Sequence, residues 1–156
     1  MSCISWNCCG LGNPRTIRAL HFLVKTKCPQ VLFFMETKQD AIVVDGIRRK
    51  LGYPNCFTVP RVGIEGGLVL LWDDTLDLVV KSFSNNHVDA IIQGNVSAGP
   101  WRFTGFYGHP EACQRWESWE LLRLLGRQNS LPWLCCRDFN EIFRGSKTIG
   151  GRNRPE

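Results

Sequence analysis

The stretch WLCCRDFNEI, Trp133 to Ile142, contains an apolar segment that ends abruptly in polar residues. The apolar part predicts a buried strand over 134–136, and the polarity changes at Arg137, Asp138 and Asn140. A carboxylate and an amide two residues apart at a strand end call for an explanation, because binding and catalytic groups are often placed where a strand gives way to a loop. Three other predicted strands also end at a polar side chain.

The length and composition indicate a single globular domain. The chain has 156 residues, of which 44% are hydrophobic and 21% charged, and this balance excludes a disordered chain. We expect an intracellular protein without a membrane partner, because the sequence has neither a membrane-spanning apolar run nor a signal peptide. The formal net charge of +5 fits a polyanionic partner, although ordinary solubility charge explains it equally well.

The eight cysteines predict neither a disulfide set nor a zinc site. In an intracellular chain the thiols are expected to stay reduced. Two adjacent pairs, Cys8–Cys9 and Cys135–Cys136, and the lack of any C-x-x-C spacing disfavour a metal cluster. Since most of the cysteines lie in apolar segments, we expect them to be buried structural residues.

Hydrophobic periodicity predicts strands with intervening helices and a run of consecutive strands in the middle. Helices are predicted from Asn13-Pro14 to Lys27, from about Asp40 to Leu51, and from Pro110 to Gly126. The predicted strands are Ser2–Trp6, Val31–Met35, Cys56–Val59, Leu68–Trp72, Leu78–Phe83, Val88–Gln93, Trp101–Tyr107 and Leu134–Cys136. This order favours an α/β (α+β) fold with a mixed sheet or two packed sheets over a doubly wound parallel sheet.

Five polar side chains, Asn7, Glu36, Tyr107, Asp138 and Asn140, lie at the predicted strand ends. Each alone has a structural explanation, such as a turn cap, a solvated loop residue, a core aromatic or an Asx-turn. Together they fit a phosphate chemistry. A carboxylate with neighbouring oxygen ligands suits Mg²⁺, and a second carboxylate can orient or deprotonate a water molecule. Amide and phenol donors suit a phosphate whose charge grows in the transition state.

The same segments carry a family resemblance. SWNCCGLGNPRT, FFMETK, GGLVLLW, FTGFYGHPE and WLCCRDFNEI, in this order, resemble the endonuclease/exonuclease/phosphatase (DNase I-like) superfamily. The amino-acid sequences of these motifs are most similar to those of the apurinic-endonuclease-like endonuclease domain of plant non-LTR (LINE-type) retrotransposons. The resemblance implies two packed mixed β-sheets flanked by helices, a four-layer sandwich. It also implies metal-dependent cleavage of phosphodiesters with Mg²⁺ or Mn²⁺, no small-molecule cofactor, DNA as partner and a nuclear location.

The resemblance also implies a role for each of the five residues. Glu36 matches the metal-binding glutamate, and Asn7 matches an asparagine beside the metal and the phosphate. Tyr107 matches a phosphate-contacting tyrosine. Asp138 and Asn140 match a D-x-N pair, in which the aspartate aligns or activates the attacking water and the asparagine helps to hold the phosphate.

The chain departs from the family pattern in three places. Arg137 replaces the usual glycine before the D-x-N aspartate, and Cys9 replaces the arginine typical of the retrotransposon domains. The closing Ser-Asp-His of the family does not occur in the sequence. We therefore expect residues 1–156 to be the N-terminal portion of a single domain whose C-terminal part is missing.

This expectation leaves three functional hypotheses open. The first is a metal-dependent endonuclease that is crippled or inactive in this form. The second is a retrotransposon remnant without enzymatic role, at most a weak nucleic-acid or metal binder. The third, a phosphoesterase for small phosphates, is less favoured by the spelling of the motifs. Whether the chain is an enzyme is therefore uncertain from the sequence.

Overall fold

The computed structural model describes residues 2–94 and 99–140. These residues form eight strands and three α-helices, in an order that follows the predicted one. The strands are β1 (Cys3–Asn7), β2 (Val31–Met35), β3 (Asn55–Val59), β4 (Leu68–Trp72), β5 (Leu78–Ser84), β6 (His87–Ile92), β7 (Trp101–Tyr107) and β8 (Trp133–Asp138). The helices are α1 (Pro14–Lys27), α2 (Ala41–Leu51) and α3 (Arg115–Gly126).

The first sheet has the strand order β1-β2-β4-β3. Strands β1 and β2 are parallel, with Asn7 opposite Met35, whereas the other pairs are antiparallel. Parallel neighbours need a crossover, and α1 provides it. This helix begins after Asn13, whose side chain accepts a hydrogen bond of 2.9 Å from the Arg15 N–H. The connection therefore brings the C-terminal ends of β1 and β2 side by side.

The second sheet has the order β5-β6-β7-β8, with β7 and β8 parallel. Their crossover contains α3, and Tyr107 lies opposite Asp138 in the register. Each sheet thus contributes one pair of parallel strands that end at a polar residue or are directly followed by one.

The two sheets pack face to face around an apolar core. The largest buried side chains of this core include Phe33 and Leu70 from the first sheet and Phe103 from the second. Gly105 of β7 allows the close approach, since a Cβ atom there would lie 2.4 Å from Cε2 of Phe33. The sheets are therefore held in one arrangement by side chains that alternate toward the shared core.

Helices cover the outer faces and complete four layers. On the first sheet, α1 and α2 bury Leu20 and Val44 against residues such as Phe34. On the second sheet, α3 buries Leu125, whose carbonyl accepts a hydrogen bond from the buried Arg102 of β7. Strand β2 is apolar throughout because both of its faces are covered. The predicted fold class, two packed mixed sheets flanked by helices, is confirmed.

Two predicted elements differ from the observed ones. Helix α3 begins at Arg115 and not at Pro110, because a 3₁₀ turn, Ala112–Gln114, precedes it. Strand β8 is not buried, since Trp133 and Leu134 are both 39% exposed. It lies at the edge of the described sheet, so that only one side of the strand is paired.

The cysteines only partly follow the prediction. All eight are free, but Cys9, Cys28 and Cys113 are exposed and only Cys8 is fully buried. Apolar neighbours in sequence were a poor guide here, because these three residues lie in turns or at element ends. In the described part of the chain, no helix has the length and apolarity needed to cross a membrane.

Candidate active site

The five polar residues at the strand ends converge at one end of the sandwich. The amide nitrogen of Asn7, at the end of β1, donates to Glu36 Oε1 at 3.1 Å and to Asp138 Oδ2 at 3.0 Å. The Tyr107 hydroxyl donates to the same oxygen of Glu36. The Asn140 N–H donates to Asp138 Oδ1 at 2.9 Å. Asn7 thus links the Glu36 carboxylate, which follows β2 of the first sheet, to the Asp138 carboxylate, which lies at the end of β8 in the second.

The loops that carry these residues are fixed by backbone hydrogen bonds. The Cys8 and Gly10 N–H groups, which follow β1, donate to the carbonyls of Met35 and Glu36 at 3.0 and 2.8 Å. On the second sheet, the Gly108 N–H donates to the Asp138 carbonyl at 2.7 Å. Gly108 is required there, since a Cβ atom would lie 2.6 Å from the Phe139 carbonyl oxygen. Both sheets therefore hold their polar ends rigidly.

Unusual backbone conformations concentrate at the same place. Among the described residues, five that are not glycine have a positive φ, and four of them lie in these segments: Cys9, Glu36, Lys38 and Asn140, with φ between 45° and 54°. Such conformations are unfavourable for residues with a Cβ and persist where the surroundings enforce them. Strain of this kind clusters at functional sites, which supports a binding or catalytic role.

The Glu36 carboxylate has three polar partners in the site: Asn7, Tyr107 and Lys38. Partial burial opposes its ionisation, but hydrogen bonds from Tyr107 and Asn7 and the nearby Lys38 ammonium together lower the pKa of Glu36 below its usual value. The Lys38 Nζ lies 3.7 Å from Glu36 Oε2. Conversely, burial and the bond to the Glu36 carboxylate raise the pKa of Tyr107. At neutral pH the site therefore presents a carboxylate beside a protonated phenol.

The orientation of Asn7 is set by its neighbour Cys9. The Cys9 N–H and thiol donate to Asn7 Oδ1 at 3.2 and 3.4 Å, which leaves the amide nitrogen facing the two carboxylates. The prediction that Asn7 is also a metal ligand requires its oxygen, and that oxygen is turned toward Cys9 here. The metal role of Asn7 stays a prediction, while its role as the bridge between carboxylates is observed.

Asn140 and Arg137 make contacts that the sequence did not indicate. The Asn140 amide nitrogen donates to the Gly108 carbonyl at 2.7 Å, so the side chain is held beside Tyr107. The Arg137 guanidinium lies 3.9 Å from the centre of the Phe139 ring. Arg137 therefore stacks on an aromatic side chain.

Three contributors to the site were missed or left unassigned by sequence reasoning. Lys38 was not singled out, although it follows Glu36 by two residues in METK. Cys9 was noted only as a departure, yet it orients Asn7. His109, to which sequence reasoning assigned no role, lines a cleft that adjoins the site. Its Nε2 lies 3.7 Å from Glu117 Oε2, and its backbone N–H donates to Ser118 Oγ at 2.9 Å.

An open cleft of about 480 Å³ extends from this site. Glu36, Lys38 and Tyr107 are among its lining residues, so the cleft and the site share these three side chains. Two carboxylates from different sheets, a phenol and amides at the mouth of a cleft can hold a hard cation and a phosphate, with a water molecule oriented by a carboxylate. Among the described residues no group of three or more His, Cys, Asp or Glu side chains is arranged as a metal cluster.

Comparisons with known proteins identify the family and the fold of this chain. A family model described as the Endonuclease/Exonuclease/phosphatase family matches residues 4–154. No curated protein matches the sequence. Among solved structures, the catalytic domain of human Nocturnin with a bound sulfate anion is similar at 14% identity and a TM-score of 0.68, covering 91% of this chain and 64% of that one.

Two further solved structures have the same fold. The endonuclease domain of TRAS1, a telomere-specific non-LTR retrotransposon, is 13% identical with a TM-score of 0.63, and the match covers 88% of this chain and 58% of that one. The 3′ phosphatase NExo from Neisseria, bound to a product DNA hairpin, is also 13% identical with a TM-score of 0.63, with 90% and 58% covered. The chain thus spans about 58 to 64% of the length of these structures.

Proposed function

Because the chain belongs to the Endonuclease/Exonuclease/phosphatase family, we propose that its site serves the metal-dependent hydrolysis of phosphodiesters in DNA. At the level of the family, phosphoester hydrolysis on nucleic acids and dependence on a divalent metal are general. The observation that carries the proposal for this chain is the bridge that the Asn7 amide makes between Glu36 and Asp138. One amide thus holds carboxylates from two different sheets, an arrangement that suits a shared cation.

The donor set fits Mg²⁺ or Mn²⁺. Glu36 and Asp138 offer hard carboxylate oxygens, and the Lys38 Nζ lies 3.7 Å from Glu36 Oε2. Glu36 would hold the ion, with Asn7 as the second ligand when its oxygen faces inward, and Mg²⁺ commonly keeps water and phosphate oxygens in its remaining positions. When bound, the ion supplies Lewis-acid polarisation of the phosphate and charge stabilisation.

The side chains of this chain would divide the remaining work. Asp138, held by the Asn7 amide and the Asn140 N–H, is placed to orient a water molecule or accept its proton. Tyr107 keeps its proton, because its pKa is raised, and is available as a donor to a phosphate oxygen. Asn140 supplies a second donor once its amide leaves the Gly108 carbonyl. The same groups position the phosphate and stabilise its growing charge.

We propose a retrotransposon-type DNA endonuclease as the specific class, with action in the nucleus. The support is the motif spelling and the similarity in fold to the TRAS1 domain. Residues 1–156 contain no Ser-Asp-His, so we propose that this portion alone binds metal and phosphate without appreciable hydrolysis. The non-catalytic remnant is the alternative. It gains support if the site proves unable to hold a divalent ion.

A metal titration tests the proposal. Mn²⁺ binding to the chain, measured by electron paramagnetic resonance, should weaken at least about tenfold in Glu36→Gln, since a carboxylate ligand is lost while acceptors for Tyr107 and Asn7 remain. The matched control is Glu120→Gln, which removes one carboxylate from the exposed face of α3. Equal Mn²⁺ affinity in the wild type and Glu36→Gln would contradict the assignment and leave Glu36 as a structural acceptor only.

A further inference from the structure

The cleft beside the site is lined by chain segments that hydrogen bonds hold in place. The wall formed by residues 60–67 contains a tight turn, in which Val62 and Glu65 exchange two backbone hydrogen bonds of 3.0 and 3.2 Å. This turn is tied to the end of β2, because the Thr37 and Lys38 N–H groups donate to the Gly67 and Gly66 carbonyls at 3.1 and 3.0 Å. The wall therefore keeps a fixed position relative to Glu36.

A second lining segment is anchored to Tyr107. The Tyr107 N–H donates to the Asn86 carbonyl at 2.7 Å, and the Asn86 side chain donates back to the Tyr107 carbonyl at 2.9 Å. This holds the β5–β6 turn, with the exposed Asn85, along the cleft. The segment from His109 to Gln114 completes the lining. A ligand in the cleft would thus adjoin any phosphate held at Glu36 and Tyr107.

The charged side chains that line the cleft are mostly acidic, whereas a groove that binds the DNA backbone is basic. Glu36, Glu65 and Glu111 contribute three carboxylates, and Lys38 is the one Lys or Arg among the described lining residues. Lys38 is already next to Glu36. Since duplex binding depends on Lys and Arg side chains that neutralise successive phosphates, additional phosphates would be repelled along this cleft. Only the part of the cleft next to Glu36 and Tyr107, where the proposed metal ion would bind, suits a phosphate.

The uncharged lining instead suits a nucleobase. Val62, Pro60 and Pro110 offer apolar surface for the faces of a flat ring. The carboxamides of Asn85 and Gln114 also line the cleft and make no hydrogen bond to described residues, so both are available to a ligand. Carboxylates accept hydrogen bonds from an exocyclic amino group such as that of cytosine. A volume of about 480 Å³ fits one small ligand and not a double helix.

We propose that this cleft is a subsite for the base and sugar of one unpaired nucleotide, with its phosphate at Glu36 and Tyr107. The inference rests on the proposed phosphoester hydrolysis and specifies its substrate class. The scissile phosphodiester then belongs to a nucleotide that is unpaired, at an end or in a single strand, because a paired base has no access to the subsite. The base selects the substrate, while the metal-binding end performs the chemistry.

The test compares deoxycytidine monophosphate with inorganic phosphate by isothermal titration in magnesium buffer. The wild-type chain should bind deoxycytidine monophosphate about tenfold more tightly than phosphate. In the double variant Asn85→Ala/Gln114→Ala the two affinities should fall within about twofold of each other, with the affinity for phosphate unchanged. Asn129→Ala, which removes an exposed carboxamide outside the cleft, should behave as the wild type.

Several outcomes would overturn the subsite. These are equal affinity of the wild type for both ligands, a preference that survives in the double variant, and an absence of nucleotide binding in a chain that binds Mn²⁺. A further outcome is that a short blunt DNA duplex displaces the nucleotide and binds less tightly to the double variant than to the wild type. That result would place paired DNA in the cleft and would also refute the subsite. Retained Mn²⁺ binding that depends on Glu36 would leave the proposed hydrolytic function standing, so the two failures are distinguishable.

Discussion

Replacing Arg102 by methionine should destabilise the protein more than any exposed-charge substitution. Arg102 is 1% exposed, and its Nε donates to Asp89 Oδ1 at 2.7 Å. The other guanidinium nitrogens donate to the Leu125 carbonyl at 2.5 Å and to Gln128 Oε1 at 3.2 Å. The guanidinium also lies 5.1 Å from the centre of the Trp133 ring. One side chain thus connects β6, α3 and the edge strand β8.

The magnitude follows from what the substitution leaves behind. Asp89 is also 1% exposed, and after Arg102→Met its remaining described donor is the Thr104 hydroxyl at 2.5 Å. Breaking a buried ion pair by removing one partner costs about 3–5 kcal/mol, because the other charge stays buried without compensation. The Leu125 carbonyl also loses its side-chain donor, although it keeps the Gln128 N–H at 3.2 Å. Against a total stability of roughly 5–15 kcal/mol, this is a large fraction.

Urea denaturation followed by tryptophan fluorescence measures the effect. Arg123→Met is the control, because Arg123 and Glu120 form an ion pair whose side chains are 62% and 59% exposed, and such pairs contribute about 0–1 kcal/mol. The double variant Arg102→Met/Asp89→Asn should be more stable than the single one, since no buried charge is orphaned and Thr104 keeps an acceptor.

Two results would refute this reasoning. One is a loss below about 1 kcal/mol in Arg102→Met, which would mean that water reaches Asp89 or that the site relaxes easily. The other is a double variant less stable than the single one. If Arg102→Met fails to fold, Arg102→Lys provides a milder measurement, because it keeps the charge but loses the planar fork. A Lys variant as stable as the wild type would also contradict the proposed geometry.

Two further predictions concern the site. Residues 1–156 alone should give no detectable nicking of plasmid DNA with Mg²⁺ or Mn²⁺, because the sequence lacks the closing Ser-Asp-His of the family. Loss of a single transition-state donor lowers the rate about 10²–10³-fold. Robust nicking that Asp138→Ala abolishes would overturn this prediction. The depressed pKa of Glu36 means that its contribution to stability is present above its ordinary value of 4.5 and is lost as the pH falls through the folded value. Unfolding free energy should therefore fall less steeply below about pH 5 in Glu36→Gln than in Glu120→Gln, and equal slopes would remove Glu36 as the source.

Much of the architecture was predictable because its signals are local. Strand β2 is apolar at all five positions, which identifies a strand covered on both faces, and Asn13-Pro14 marks the start of α1. The polar residues that follow apolar strands indicated the site, because a crossover helix places the ends of parallel strands at the same edge. Strand β8 was the exception. Its apolar residues predicted burial, but burial depends on which elements pack against the strand, and the sequence pattern does not contain that information.

The parts of the site that sequence could not supply depend on contacts between the sheets. Asn7 and Asp138 are 131 residues apart and meet at 3.0 Å because Phe33 and Gly105 fix how closely the two sheets approach. No local pattern encodes that approach. The direction of the Asn7 amide is likewise set by Cys9, a residue that looked like a lost cation in sequence and acts as a donor in the structure. Cys9 lacks the charge of the arginine typical of the retrotransposon domains, yet it still keeps the Asn7 amide directed at two carboxylates. Comparing motif sequences alone therefore underestimates how much of the site this chain retains.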